Sequence, residues 1–316
     1  MSQTIFVFGC TGQDGSLICQ SLLQKRFKVI GFSRKSNPNR KNHELLGISK
    51  DFEIHQIDLK NPKEIKQAID RFHPSEIYNL GAQSSVGKSY SKPKETIDSI
   101  VKSTTNILEV ARRNKFGSKI FFAGSSEMFG HTEKAADVSH IQKPLSPYAI
   151  AKQTSFNLVK LYREAYNIKC VTGVLFNHES PLRSDDFVIQ KIINAAMNIS
   201  KAKLDKIHLG NVDIIRDWGW ASEYVEAMQL INNAQQQKDH VICTGISTKL
   251  RDIIEKIFEK FNLNYLDHII ISQKLIRPNE INQSFGNPKQ LNNHLNWKSK
   301  KNIDQIVDNL ISRNIL

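Results

Sequence analysis

Short apolar runs alternate with stretches of helical periodicity through the first half of the chain, which points to a parallel sheet covered by helices on both faces. Thr4 to Phe8 reads as the first strand, and Ile18, Cys19, Leu22, Leu23 and Phe27 recur three and four apart as the buried face of a helix behind it. Lys28 to Phe32 returns as a second strand and Phe52 to Leu59 as a third. Asn61 and Pro62 open the next helix as N-cap and first-turn proline, striped by Ile65, Ala68, Ile69 and Phe72. Glu76 to Leu80, Lys119 to Ala123 and Lys169 to Phe176 read as further strands, and Ile97 to Ala111 keeps helical spacing over several turns. The expected class is α/β, with a Rossmann-type, doubly wound parallel sheet.

From about residue 177 the alternation loosens. Asn177 to Pro181 reads as loop, Phe187 to Ile199 as helix, and two further helices are expected at Leu250 to Phe261 and Ile303 to Leu310. A chain of 316 residues suits one large or two interlocked domains. The expected division is a dinucleotide-binding domain of residues 1–176 plus about 212–244, with a smaller, interleaved substrate domain of about 177–211 plus 245–316.

Composition excludes several classes. With 40% hydrophobic and 24% charged residues the chain can bury a sizeable core and is unlike disordered or collagen-like sequences. No apolar run approaches the roughly 18 residues that span a bilayer, and Ile5 to Phe8 lacks the flank and length of a signal peptide, so a cytoplasmic protein without a membrane partner is expected. The four cysteines, Cys10, Cys19, Cys170 and Cys243, are isolated, which argues against a metal site or a disulfide framework. The formal charge of +13 invites an anionic partner, but the lysines are scattered and lack interleaved aromatics, so nucleic acid is not expected.

Gly9-Cys10-Thr11-Gly12-Gln13-Asp14-Gly15 follows the first strand and opens the first helix, where a pyrophosphate can approach the backbone. Such glycines can be purely structural, but this strand-turn-helix setting makes Gly9, Thr11, Gly12, Gln13 and Asp14 expected cofactor contacts. After the second strand an NAD site would place an acid on the ribose 2′-hydroxyl; the chain instead reads Ser33-Arg34-Lys35-Ser36. Two cations and two hydroxyls suit a 2′-phosphate, so NADP is the expected cofactor and Arg34 its reader, a solvated basic loop being the alternative.

Tyr148 and Lys152 stand four apart, one helical turn, so the ammonium can lower the phenol pKa and make it a usable base. Just before them the strand Lys119 to Ala123 ends in Gly124-Ser125-Ser126-Glu127, at the carboxyl edge where open α/β sheets bind ligands. Ser125 can hold a substrate oxygen there. Glu127 can move a second proton, which a simple alcohol dehydrogenase does not need, or can be a strand-end surface residue.

Together these residues resemble the extended short-chain dehydrogenase/reductase superfamily and, within it, the GDP-mannose 4,6-dehydratase family. The resemblance runs through almost the whole chain: Gly9 to Ser16, Ile77 to Ser84, Ser125-Ser126-Glu127, Leu175 to Pro181, Arg216-Asp217-Trp218-Gly219, Tyr224 to Met228, and Arg277-Pro278-Asn279-Glu280. It implies that Tyr148, helped by Lys152, takes the C4 hydroxyl proton while hydride passes to NADP, and that Ser125 polarises the resulting carbonyl. Glu127 then removes the C5 proton and protonates the departing C6 hydroxyl before hydride returns to C6. The resemblance further implies cofactor contacts at Asp58, Leu59, Leu80, Gly81, Ala82, Ser84, Tyr148, Lys152, His178 and Arg183. For the GDP-sugar it implies Ser85, Asn177, Val188, Lys191, Arg216, Arg277 and Glu280.

Several positions depart from the family pattern. Ser125 replaces threonine, Glu95 a cofactor-contacting tyrosine and Leu182 the first of two arginines, and Ser84-Ser85 lacks the family's histidine. The hexose can therefore differ, for example as a GDP-linked heptose. The resemblance also implies a homodimer or homotetramer, since the family often assembles through the Arg34 loop, which is shortened here. A GDP-sugar reductase or epimerase, the alternative within the superfamily, needs Tyr148 and Lys152 but not Glu127.

Overall fold

A computed structural model describes residues 3–315. Thirteen strands appear in chain order among them: β1 Thr4–Phe8, β2 Lys28–Ser33, β3 Glu53–Gln56, β4 Glu76–Asn79, β5 Lys119–Ala123, β6 Cys170–Leu175, β7 Asn177–Glu179, β8 Ile207–Leu209, β9 Ile215–Trp220, β10 His240–Ile242, β11 Ser247–Lys249, β12 Ile269–Ile271 and β13 Gln283–Ser284. Seven form one parallel sheet in the order β10-β6-β5-β4-β1-β2-β3. A sheet covered on both faces buries every side chain of its central strands, which is why they read as unbroken apolar runs. Ile5, Phe6, Val7 and Phe8 of β1 are all fully buried.

The two faces of β1 feed separate cores. Ile5 and Val7 pack with Leu17, Ile18 and Leu22 of the helix Gln13–Gln24 and with Val225, Met228 and Ile231 of the helix Ala221–Asn233. Phe6 and Phe8 pack with Phe32, and with Ile65, Ile107 and Val159 from the helices Pro62–Phe72, Ser103–Arg113 and Pro147–Tyr166. Asn61 caps the first of these as its motif implies, its side chain accepting from the Lys63 amide at 3.1 Å.

Strand order reverses between β1 and β4, so their carboxyl ends diverge into the crevice where such sheets bind ligands. Beside this sheet β9 pairs with β7 and β13 in parallel and with β11 antiparallel. A third core joins Trp218 and Trp220 of β9 to Ile189, Ile192, Ile253, Phe258 and Leu310 of the helices Val188–Ser200, Leu250–Glu259 and Ile303–Ile311.

Three expectations need correction. Asn177–Glu179 is a strand, because Trp218 to Trp220 supply its ladder from forty residues away, a pairing with no local signal. The helical stretch around Ile97 to Ala111 is broken by a π-helical turn, Asp98–Lys102, between Pro93–Ile97 and Ser103–Arg113. The third strand ends at Gln56; Ile57 and Leu59 beyond it are buried but outside the ladder. No helix of the described residues is long and apolar enough to cross a membrane.

Candidate active site

The crevice between β1 and β4 opens into a cleft of about 1380 Å³. Its floor is the glycine turn. Gly9 has φ +77°, and a Cβ there would lie 2.7 Å from the Leu80 carbonyl oxygen and 2.8 Å from Gly81 Cα. A Cβ on Gly15 would stand 2.2 Å from the Gly9 carbonyl oxygen, so these two glycines let the turn, β4 and the first helix close on one another. Gly12 is the N-cap of that helix, and a Cβ there would meet only the Gly9 carbonyl, at 3.5 Å. Helix amides therefore face a cleft with room for an anionic group, and the residues fit a dinucleotide. Gly9→Ala is expected to lower stability by about 2–4 kcal/mol, combining left-handed strain with overpacking, as thermal unfolding will show.

Thr11, Gln13, Asp14, Arg34, Asp58, Leu59, Leu80, Gly81, Ala82, Ser84 and Arg183 line the same cleft with Gly9 and Gly12. Arg34 is exposed on its rim next to Ser33 and Lys35. Arg183 lies 3.8 Å over the Phe187 ring and 3.8 Å from Glu179. Glu95, at the departed tyrosine position, also lines the cleft and pairs with Lys92 at 3.4 Å. Leu182 is buried in the first core.

Asp14 and His178 meet each other. His178 Nε2 lies 3.0 Å from the Asp14 carboxylate and Nδ1 2.7 Å from the Phe176 carbonyl, while the ring stacks on Tyr224 at 4.6 Å. Burial opposes ionisation of Asp14, but the His178 charge and hydrogen bond prevail and bring it to about 2.

Of the residues expected to be catalytic, Ser125, Tyr148 and Lys152 are buried and Glu127 is half-buried, and none of the four lines the wall of the cleft. Ser146 caps the helix Pro147–Tyr166, its hydroxyl accepting from the Ala149 amide at 3.1 Å, so Tyr148 and Lys152 stand on its first two turns. Lys152 donates to the Ala123 carbonyl at 2.6 Å and lies 5.7 Å from the Tyr148 ring centroid. Burial pushes Tyr148 up to about 12, the Ser125 side chain opposing by hydrogen bonding. Burial likewise brings Lys152 down to about 8, which Asp14 opposes. Burial outweighs every opposing influence on the phenol; the Ser125 side chain is the largest of these, while the Lys152 ammonium is anchored on a strand-end carbonyl close to the ring.

Glu127 follows Ser125 on a short turn, Ser126–Phe129, whose N-cap is the Ser125 hydroxyl, 3.3 Å from the Glu127 amide. Its side chain is 16% exposed, so it is not a surface carboxylate. Burial raises its pKa, and Arg277 and Arg216 oppose. Arg277 stands 4.0 Å from Glu127 and 3.8 Å from Glu280, and Arg216, itself buried, lies 3.5 Å from Glu280. Four of the expected residues thus converge across 150 positions of sequence. Ser85, Val188 and Lys191 are engaged elsewhere: Ser85 caps a helix by accepting from the Lys88 amide, Val188 begins another, and Lys191 donates to the His208 carbonyl. Asn177 opens β7, half-buried.

Tyr90 escaped the sequence reading, and Asn279 enters it only as part of the Arg277-Pro278-Asn279-Glu280 block. The Tyr90 hydroxyl and the Asn279 amide both donate to the Leu145 carbonyl, at 2.9 and 3.3 Å. Burial raises Tyr90, with Glu127 and Glu280 adding to the shift and Arg277 opposing, so its hydroxyl lies in the field of the acid–arginine cluster. No spacing linked Tyr90 to position 279. No group of three or more metal-ligating side chains occurs among the described residues.

A family model described as GDP-mannose 4,6 dehydratase matches residues 6–310. GDP-mannose 4,6 dehydratase 1 of Arabidopsis thaliana is 34% identical over 320 residues, covering 98% of this chain and 89% of the relative. Among solved structures, dTDP-glucose 4,6-dehydratase of Bacillus anthracis in complex with NAD superposes with a TM-score of 0.85 at 18% identity, covering 98% and 96% of the two chains. RMD of Pseudomonas aeruginosa, complexed with NADPH, does so with a TM-score of 0.81 at 19% identity, covering 99% and 98%. At these identities the structures report the shared fold.

Proposed function

The chain belongs to the GDP-mannose 4,6-dehydratase family, and from that premise we propose that it is an NADP-dependent dehydratase acting on GDP-mannose or a close analogue such as a GDP-manno-heptose. The observation that carries this reading is Glu127, a half-buried carboxyl beside Ser125 and Tyr148 and in the field of two arginines. Alcohol oxidation needs one proton-transfer group; elimination of water needs a second.

A bound nicotinamide supplies the acceptor and later the donor of the hydride. Tyr148 accepts the C4 hydroxyl proton, and Ser125 hydrogen-bonds the same oxygen as it becomes a carbonyl. That carbonyl acidifies C5–H. Glu127 takes the C5 proton and delivers one to the C6 oxygen as it leaves. Burial favours the protonated form of this carboxyl while Arg277 and Arg216 favour the ionised one, so neither form is held exclusively. Arg216 and Arg277, with Glu280 between them, have the fork geometry to bind diphosphate oxygens. The nucleotide-sugar body is assigned to about 177–211 plus 245–316, and a homo-oligomer of two or four copies is proposed, to be checked by light scattering.

The test is turnover of a panel of GDP-, CDP- and UDP-sugars with catalytic NADP, read by product mass. A GDP-sugar product lighter by one water is expected. A strict requirement for stoichiometric NADPH would identify a reductase, and an isomer of unchanged mass an epimerase.

Cofactor choice is tested at Arg34. Removing its guanidinium in Arg34→Ala is expected to weaken NADP binding by about 10- to 100-fold, the equivalent of about 1.5–3 kcal/mol for hydrogen bonds to a charged group. NAD binding should hardly move; equal losses for both cofactors would take Arg34 off the 2′-phosphate.

A further inference from the structure

Behind Lys152 lies a second, much smaller cavity of about 20 Å³. Asn79 at the end of β4, Ala123 of β5 and Thr172 of β6 line it from the sheet, and Lys152 and Ser155 from the helix Pro147–Tyr166. Parallel register sets Asn79 beside Phe122 and Phe122 beside Thr172, so the three share one sheet face. Phe122 packs in one core with Val159 of that helix, which identifies the face the helix covers. Lys152 and Ser155, three apart, both look down onto it.

Three side-chain atoms in this wall are buried with no hydrogen-bond partner in the protein: Asn79 Oδ1, Ser155 Oγ and Thr172 Oγ1. One unpaired buried polar atom destabilises a fold, and native interiors satisfy nearly all of them. Here three from three different elements border a single cavity. Room for one water takes about 10–15 Å³, and a buried water makes about two to four hydrogen bonds. The volume therefore fits one water, and the wall offers it partners.

We infer that this cavity is an internal water site, in which one ordered water hydrogen-bonds Asn79, Ser155 and Thr172 behind the Lys152 ammonium. The water donates to Asn79 Oδ1 and to one hydroxyl, and accepts from the other. Its remaining lone pair faces the Lys152 side, where the ammonium is already anchored on Ala123. Hydration from behind supports the charged form of a lysine that burial otherwise disfavours. Ser155 and Thr172 are thus positioning residues acting through the water. Only this link to Lys152 rests on the proposed dehydratase reading; the water site itself does not.

Thr172→Val decides between a wet and a dry cavity by sign. If the hydroxyl binds water, its near-isosteric replacement strands the water and lowers Tm by about 2–4 °C. If the cavity is dry, valine removes an unpaired hydroxyl and Tm rises, which overturns the inference. Ser155→Ala gives an independent reading, and the double variant is expected to lose less than the sum because both act on one water; additive effects contradict a shared site. A high-resolution crystal structure should show density bonded to all three side chains. In turnover, Thr172→Val should move the alkaline limb of kcat/KM to lower pH. A lowered Tm with an unmoved limb keeps the water site and removes its link to Lys152. If no sugar nucleotide is turned over, the dehydratase reading fails, while Tm and density still decide the site.

Discussion

Glu127→Gln is expected to lower kcat for dehydration by about 100- to 10,000-fold, the range that a positioned acid–base group contributes. Glutamine keeps the shape of the side chain, so the loss reports proton transfer rather than packing. The variant should separate the two halves of the reaction. C4 oxidation needs Tyr148 and not Glu127, so mixing the variant with GDP-sugar should still reduce bound NADP, and reduced cofactor should accumulate because elimination stalls. Stopped-flow absorbance reads this directly. Normal turnover in Glu127→Gln would remove the carboxyl from the mechanism.

Tyr148→Phe is expected to lower kcat by a similar about 100- to 10,000-fold, but with no reduced cofactor formed at all, because the block falls on the first step. Burial already holds this phenol up at about 12 and Lys152 down at about 8. In the wild type, Lys152 is charged below about 8 and loses that charge as pH rises through it, so kcat/KM should fall on the alkaline side there. Glu127 must be ionised to act as base, and burial raises its pKa, so the acid limb should lie above the ordinary carboxylate range. An alkaline limb that only begins near the pKa of Tyr148 would remove Lys152 charge from the first step.

The sheet was legible because its central strands are buried on both faces. Ile5 to Phe8 is apolar without interruption, and Gly9 and Gly15 mark a turn where backbone meets backbone. Periodicity likewise exposed the helix stripes at Ile65, Ile69, Ile253 and Ile257. What escaped was set by partners distant in sequence. Asn177–Glu179 is strand only because β9 lies beside it, and Tyr90 and Asn279 meet at the Leu145 carbonyl.

The catalytic spacing showed the same limit. Tyr148 and Lys152 are one turn apart as expected, yet the ammonium points to Ala123 at the end of β5. Helical spacing determines which side chains are neighbours, not which acceptor a long flexible one selects. Glu127, by contrast, could be strand-end surface from placement alone. Only the fold brings Arg216, Arg277 and Glu280 around it and shields most of it from solvent.

Elimination through C5 leaves an isotopic record that neither simple oxidation nor reduction leaves. Run in deuterated water with GDP-mannose and catalytic NADP, the reaction should give a 4-keto-6-deoxy product carrying solvent deuterium at C5, as NMR will show. A dehydrated product with C5 fully protonated would mean that Glu127 does not exchange that proton with solvent; turnover with no dehydration would contradict the assignment outright.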